Sequence, residues 1–176
     1  MTDCDESVYL GIDPGLNITG YGVLRFSGGS IEIMDAGTIR SSPKQEFSDR
    51  LIELYNGIRE VIAAHGPCAM GIEELYSHYK HPVTAIKMAH ARGVLCLAAA
   101  QASVRTIPLP STRIKKLVTG NGRAGKQQVS GMVKHLLGIE TEIKPADVTD
   151  ALAACIAAYE SERYDRKYKR LSGGHS

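Results

Sequence analysis

Between Leu75 and Ile139 the chain has no aspartate or glutamate, yet that stretch carries ten lysines and arginines. The net charge of +2 hides the asymmetry, because the remaining residues must then carry −8. A solvated surface normally mixes both signs, so an acid-free segment of this length argues against an ordinary soluble face and for one that meets a polyanion. Nucleic acid is the first candidate. Arg113, Lys115, Lys116, Arg123 and Lys126 are the candidate contacts in the segment. The tail from Arg163 to Arg170 is basic too, which a solubilising helix end explains better than a ligand contact does.

Other absences narrow the class further. No apolar run reads as both long and uncharged enough to span a bilayer, so no membrane is expected. Residues 1–7 are polar and acidic, unlike a signal or transit peptide. The four cysteines (Cys4, Cys68, Cys96 and Cys155) form no Cys-x-x-Cys pair. Three sit among apolar neighbours, which predicts buried free thiols in a reducing compartment, the cytoplasm.

What is present is organised around Val8 to Val23. An apolar run of strand length delivers one carboxylate, Asp13, before Pro14 and Gly15 break it, and Gly20 to Phe26 reads as a strand returning beside it. Ser30 to Ile39 continues a three-strand antiparallel meander. Phe47 to Ala64 has the spacing of an amphipathic helix, and Cys68 to Ile72 that of a short buried strand. Pro82 to Ala102 predicts a long helix, apolar almost all round and therefore buried on more than one side, in the core or against a partner subunit. Val104 to Ile107 is a fifth strand, closed by Pro108. Ser111 is expected to cap a basic helix from Thr112 to Val118. Helices follow over Lys126 to Leu137 and from Pro145 to about Tyr168. The fold class is α/β: a five-stranded mixed sheet flanked by helices, one domain over 1–176, with 1–7 and 169–176 expected to be disordered.

A lone acid at the tip of a buried strand is costly unless a cation meets it, although an Asp that merely caps its turn is the plain alternative. Gly71-Ile72-Glu73 repeats the form of Gly11-Ile12-Asp13, and side chains alternate along a strand. Asp13 and Glu73 therefore share a face if their strands are neighbours, while Glu74 points away and receives no role. Asp147 and Asp150 are three apart on a helix and stand on one side of it. Alone that pair reads as N-terminal charge compensation; with two strand-end acids available it completes a cluster. Four carboxylates with no His or Cys at ligand spacing call for Mg²⁺ or Mn²⁺. Two such ions suit displacement at phosphorus. Gly11 and Gly15 are expected to clear space for a metal-bound phosphate, and Gly20 and Gly22 to let the returning strand pack closely.

In order and spacing, Gly11-Ile12-Asp13-Pro14-Gly15, Thr19-Gly20-Tyr21-Gly22, Ile72-Glu73, Ala91-Arg92-Gly93-Val94 and Asp147-x-x-Asp150-Ala-Leu-Ala resemble the RuvC family of Holliday junction endonucleases, from Val8 to about Tyr159. The resemblance implies an RNase H-like fold. It also implies a homodimer that grips four-way junction DNA and makes paired symmetric nicks with Mg²⁺ or Mn²⁺ at each centre. Asp13, Glu73, Asp147 and Asp150 fall on the family's acidic positions. Lys115 (or Lys116) and Lys126 fall on its basic positions near the scissile phosphate. Tyr76 takes the place of an aromatic that contacts bases at the crossover, and a tyrosine packed under the loop is the alternative. The helix from Pro82 matches the family's dimer helix, and the branch-migration proteins RuvA and RuvB are implied partners.

Three rivals remain. An actin-like ATP-using protein shares the Gly-x-Asp-x-Gly opening but needs a second half-domain, for which 176 residues leave no room. Another RNase H-like nuclease, acting on RNA–DNA hybrids or as a monomeric resolvase, would expose the long apolar helix. A junction-binding protein without catalysis would not need four acids.

Overall fold

Strand β1 (Glu6–Asp13) is the middle strand of a five-stranded sheet, with buried side chains on both faces. The computed structural model describes residues 6–75 and 82–172. Beside β1 lie β2 (Ile18–Ser27), antiparallel, and β4 (Ala69–Glu73), parallel. Outside them stand β3 (Ser30–Arg40) and β5 (Arg105–Leu109), so the order is β3-β2-β1-β4-β5. The helices are α1 (Phe47–His65), α2 (Pro82–Gln101), α3 (Ser111–Thr119), α4 (Lys126–Leu137) and α5 (Ala146–Ser172). This is the expected mixed sheet flanked by helices.

Alternation along β1 divides the core in two. Leu10 and Ile12 pack with Met70, Ile72, Leu54, Ile58, Leu95 and Ala98 on the α1 and α2 side. Tyr9 lies on the other face, among the residues of α3, α4 and α5. On α1 the buried stripe Leu54, Ile58, Val61 and Ile62 gains about 1.5–3 kcal/mol for each fully buried side chain, against roughly 1 kcal/mol for Gly57 in mid-helix. That glycine is needed, since a Cβ there would stand 2.8 Å from Ile39 Cγ2 on β3. Gly66 ends the helix in the left-handed conformation, its N–H bonded to the Ile62 carbonyl.

Helix α5 is the element the sheet encloses most fully. Every residue from Ala151 to Ala158 is buried, which the run of alanines permits. Its far end is anchored by Glu162, which accepts a hydrogen bond from Tyr9 Oη (2.7 Å) and pairs with Arg105. Around that anchor Phe26 and Tyr159 stack, and each meets Tyr9 edge to face.

Several expectations need correcting. The fifth strand runs through Pro108 to Leu109, which is tolerated because β5 is an edge and its missing N–H costs no ladder bond. Ser111 is the first residue of α3, not its cap. Glu6 and Ser7 belong to β1 and 169–172 to α5; the rest of the two stretches expected to be disordered, 1–5 and 173–176, lies outside the described residues. Cys155 is buried, Cys96 half-buried and Cys68 exposed, so the expectation of three buried thiols holds for one; all three are free. Helix α2 buries one side only, through Ala91, Leu95, Ala98 and Ala99, and leaves Val83 (64% exposed), Ile86 (57%) and Leu97 (53%) open. It is also long and apolar enough by composition to cross a membrane, contrary to the sequence reading, because Lys87 and Arg92 are its only charged residues. Here its buried face lies against α1 and the sheet.

Candidate active site

The parallel register of β1 and β4 sets Ile12 level with Ile72, so Asp13 and Glu73 end adjacent strands side by side. Both side chains leave the sheet on the face of Gly11 and Gly71, the face that α5 covers. Helix α5 brings Asp147 in its first turn and Asp150 one turn on. Three elements thus contribute four carboxylates to one place, as the alternation and helix spacing require.

The glycines do something other than expected. A Cβ on Gly11 would run into the Ala151 carbonyl and lie 2.6 Å from Cys155 Cβ, and one on Gly71 would lie 2.6 Å from the Ala154 carbonyl oxygen. The space they leave is filled by the backbone of α5, not held open for a phosphate. A Cβ on Gly15 would strike the Ile18 carbonyl, so that glycine closes its own turn. Gly20 and Gly22 do let the returning strand pack closely, as expected, and what they pack against is α5.

Burial is the largest influence on Asp13, and Asp150, Glu73 and Asp147 add to it, pushing its carboxyl up to about 7; Lys126 opposes them. Burial also raises Glu73, offset by a hydrogen bond from Ser111 and by Lys115 and Lys126. Lys126 Nζ stands 2.9 Å from Asp150 Oδ2, and that bond holds the ammonium above its ordinary range. A groove beside these acids is lined by Glu73, Ser111, Lys115, Lys126 and Asp150, and an adjoining hollow by Asp13, Pro14, Glu73, Glu74, Met88 and Ser111. Among the described residues no three His, Cys, Asp or Glu side chains stand, as placed, where together they could hold a metal ion. The donor set is nonetheless right for a hard cation: oxygen only, open to one side, and built of carboxylates that burial first and mutual repulsion second hold back from ionising.

The basic segment does not act as one surface. Lys115 lines the groove with Lys126, and Lys134 lies in the next hollow beyond Lys126. Lys116, the other candidate for the first position, is not among the lining residues of that groove. Arg123 is exposed in the loop before α4. Arg113 donates instead to Ser161 Oγ (3.0 Å), about three turns along α5 from Asp150, and Arg105 is at the opposite end of the sheet on Glu162. Tyr76 lies outside the described residues.

Sequence reasoning missed several supporting side chains. Glu74 was set aside by strand alternation, but β4 ends at Glu73, the rule lapses there, and Glu74 lines the Asp13 hollow. Ser111 was read as a cap, which conceals its reach to Glu73. Arg92 Nε donates to the Glu73 carbonyl (3.1 Å), fixing the strand end from α2. The turn after Asp13 is locked from within by Thr19, whose Oγ1 donates to Gly15 O (2.6 Å) and accepts from Gly15 N. From outside, buried Arg50 donates to Leu16 O, Asn17 Oδ1 and Ser41 Oγ. A lone arginine in a helical pattern carries no mark of such burial.

The model of one family, described as crossover junction endodeoxyribonuclease RuvC, matches residues 9–158. A curated relative from Rhodopirellula baltica, named crossover junction endodeoxyribonuclease RuvC, is 46% identical over 153 residues, 87% of this chain and 86% of that one. Among solved structures, RuvC of Thermus thermophilus in complex with Holliday junction substrate superposes with a TM-score of 0.85 at 27% identity, covering 90% of this chain and 96% of that one. The yeast mitochondrial Holliday junction resolvase Ydc2, 14% identical with a TM-score of 0.67 over 93% of this chain and 82% of that one, shares the fold.

Proposed function

The chain belongs to the RuvC family of crossover junction endodeoxyribonucleases, and we propose that it resolves four-way DNA junctions by metal-dependent hydrolysis of one phosphodiester in each of two strands. The observation that carries the reading is the convergence of Asp13, Glu73, Asp147 and Asp150 from two strand ends and one helix start, with Asp13 pushed to about 7. Carboxylates so crowded are relieved by cations, and these four are the residues that would hold them. Two Mg²⁺ or Mn²⁺ ions bound there supply activation of the attacking water and stabilisation of the departing 3′ oxygen.

The chain's own groups do the rest. Lys126 and Lys115 flank the groove and offset phosphate charge beside the acids. Ser111, Arg92, Thr19 and Arg50 hold the two strand ends in place. Lys134 and exposed Arg123 extend the positive lining for backbone contact. Tyr76 is proposed as a stacking platform for opened bases, and the open face of α2 as the seat of a second copy. RuvA and RuvB are the partners the family implies, and free Cys68, Cys96 and Cys155 fit the reducing cytoplasm.

The test is a synthetic four-way junction. With Mg²⁺ or Mn²⁺ the protein is expected to nick it symmetrically and to leave linear duplex largely uncut. Asp13→Asn is expected to bind the junction without cutting. Inertness with both ions, or equal cutting of linear duplex, would overturn the assignment.

A further inference from the structure

The antiparallel ladder of β1 and β2 sets Gly20 directly opposite Asp13. The same glycine supports the other side of the centre. A Cβ built on Gly20 would collide with the carbonyl of Asp147 and stand 3.1 Å from Asp147 Cβ. One bare backbone position is therefore the ladder partner of the first acid and the bed of the third. Two strands and a helix meet there with no side chain between them. Further along β2, Gly22 faces α5 as well, but its nearest neighbour is the flexible end of Leu152, Cδ2 at 2.6 Å. Of these two β2 glycines, only Gly20 bears on the backbone of an acid at the centre.

We infer that Gly20 is a positioning residue that sets the separation of Asp13 and Asp147 and thereby makes the centre selective for a small divalent cation over a larger one. The inference rests on the metal reading above. Mg²⁺ demands near-ideal geometry from its oxygen ligands, whereas Ca²⁺ accepts longer bonds and irregular coordination. Real Cβ contacts essentially never fall below 3.0 Å, so a methyl on Gly20 must lift the first turn of α5 from the sheet. Asp147 moves with that turn, and Asp13, on its central strand, does not. Sites of this kind lose function when ligands drift by about half an ångström.

The test is calorimetric binding of Mg²⁺ and of Ca²⁺ to the full-length protein without DNA, which needs no turnover. Gly20→Ala is expected to lower Mg²⁺ affinity by about tenfold or more while Ca²⁺ affinity falls much less, so the ratio of the two changes. Gly22→Ala is expected to leave the ratio as in the wild type. An unchanged ratio in folded Gly20→Ala overturns the inference. If that variant does not fold in plain buffer, the same titrations are run on wild type, Gly20→Ala and Gly22→Ala with a stabilising osmolyte present throughout, and an unchanged Mg²⁺ to Ca²⁺ ratio there overturns the inference equally. A wild type that binds neither ion overturns the metal reading, and this inference with it.

Discussion

Lys126 reaches from the first residue of α4 to Asp150 on α5, Nζ to Oδ2 at 2.9 Å, with 70% of the lysine side chain still exposed. An ion pair that open contributes little to stability. Its consequence is a cation held at the edge of the acid cluster, where the proposed strand cleavage would build phosphate charge. Lys126→Ala is expected to slow single-turnover junction cleavage by about 10²-fold and to leave the urea midpoint where it was. Lys126→Arg should recover part of the rate. A large loss of stability with an unaltered rate per folded molecule would sink this assignment.

Asp13 predicts the sign of a pH effect. Its carboxyl titrates near 7 when folded and at 3.8 ordinarily. Between about pH 4 and 7 the ion-free folded chain therefore keeps a proton that the unfolded chain releases, and stability falls as pH rises through that window. The ceiling is about 4 kcal/mol, from a shift of about three units. Asp13→Asn should flatten most of this slope and raise the urea midpoint at pH 8. Glu73, raised in the same sense, leaves a shallow remainder. Adding Mn²⁺ to the wild type at pH 8 should restore much of the loss. Parallel stability curves for wild type and variant would refute the electrostatic account.

Tyr9 offers a contrast at the far end of the sheet, where its hydroxyl bonds Glu162 at 2.7 Å. Tyr9→Phe removes a partly buried, charge-assisted hydrogen bond and is expected to cost about 1.5–3 kcal/mol of stability. Cleavage by the folded fraction should stay within about twofold of wild type, since Asp147 and Asp150 are bedded separately by the sheet. A steep loss of cleavage without loss of stability would show that the anchor acts on the site.

Leu97 tests the open face of α2. Leu97→Glu is expected to fold, because the side chain is already 53% exposed. It should sediment near the single-chain mass of 19.0 kDa, where the wild type, as the proposed dimer, is expected at twice that. Junction nicks should then become unpaired in time. A wild type that sediments as a single chain would remove the proposed partner.

The two strand-end acids were legible because alternation and the repeated Gly-Ile-acid form are local, and β1 and β4 needed only to be neighbours. Asp147 and Asp150 were legible from helix spacing for the same reason. Arg50, Ser111 and Arg92 were not, since each acts on a residue from 19 to 38 positions away in the chain. Gly11 was misread because nothing near it announces that a helix 140 residues later lies against it. The all-round apolarity of α2 was read as burial on more than one side; in the chain itself only the side of Ala91, Leu95, Ala98 and Ala99 is buried.

The hydrogen bond from Arg92 to the Glu73 carbonyl has a mechanical consequence. α2 is continuous, its outer face is apolar, and midway along it one side chain grips the backbone that presents an acid of the proposed centre. In a pair of chains joined along α2, a change in the crossing of the two helices reaches Glu73 without an intervening flexible loop. The interface is then a gauge as well as a glue. In the proposed dimer, a substrate that forced the two halves apart would detune the chemistry, and one that fitted their natural span would leave it in tune.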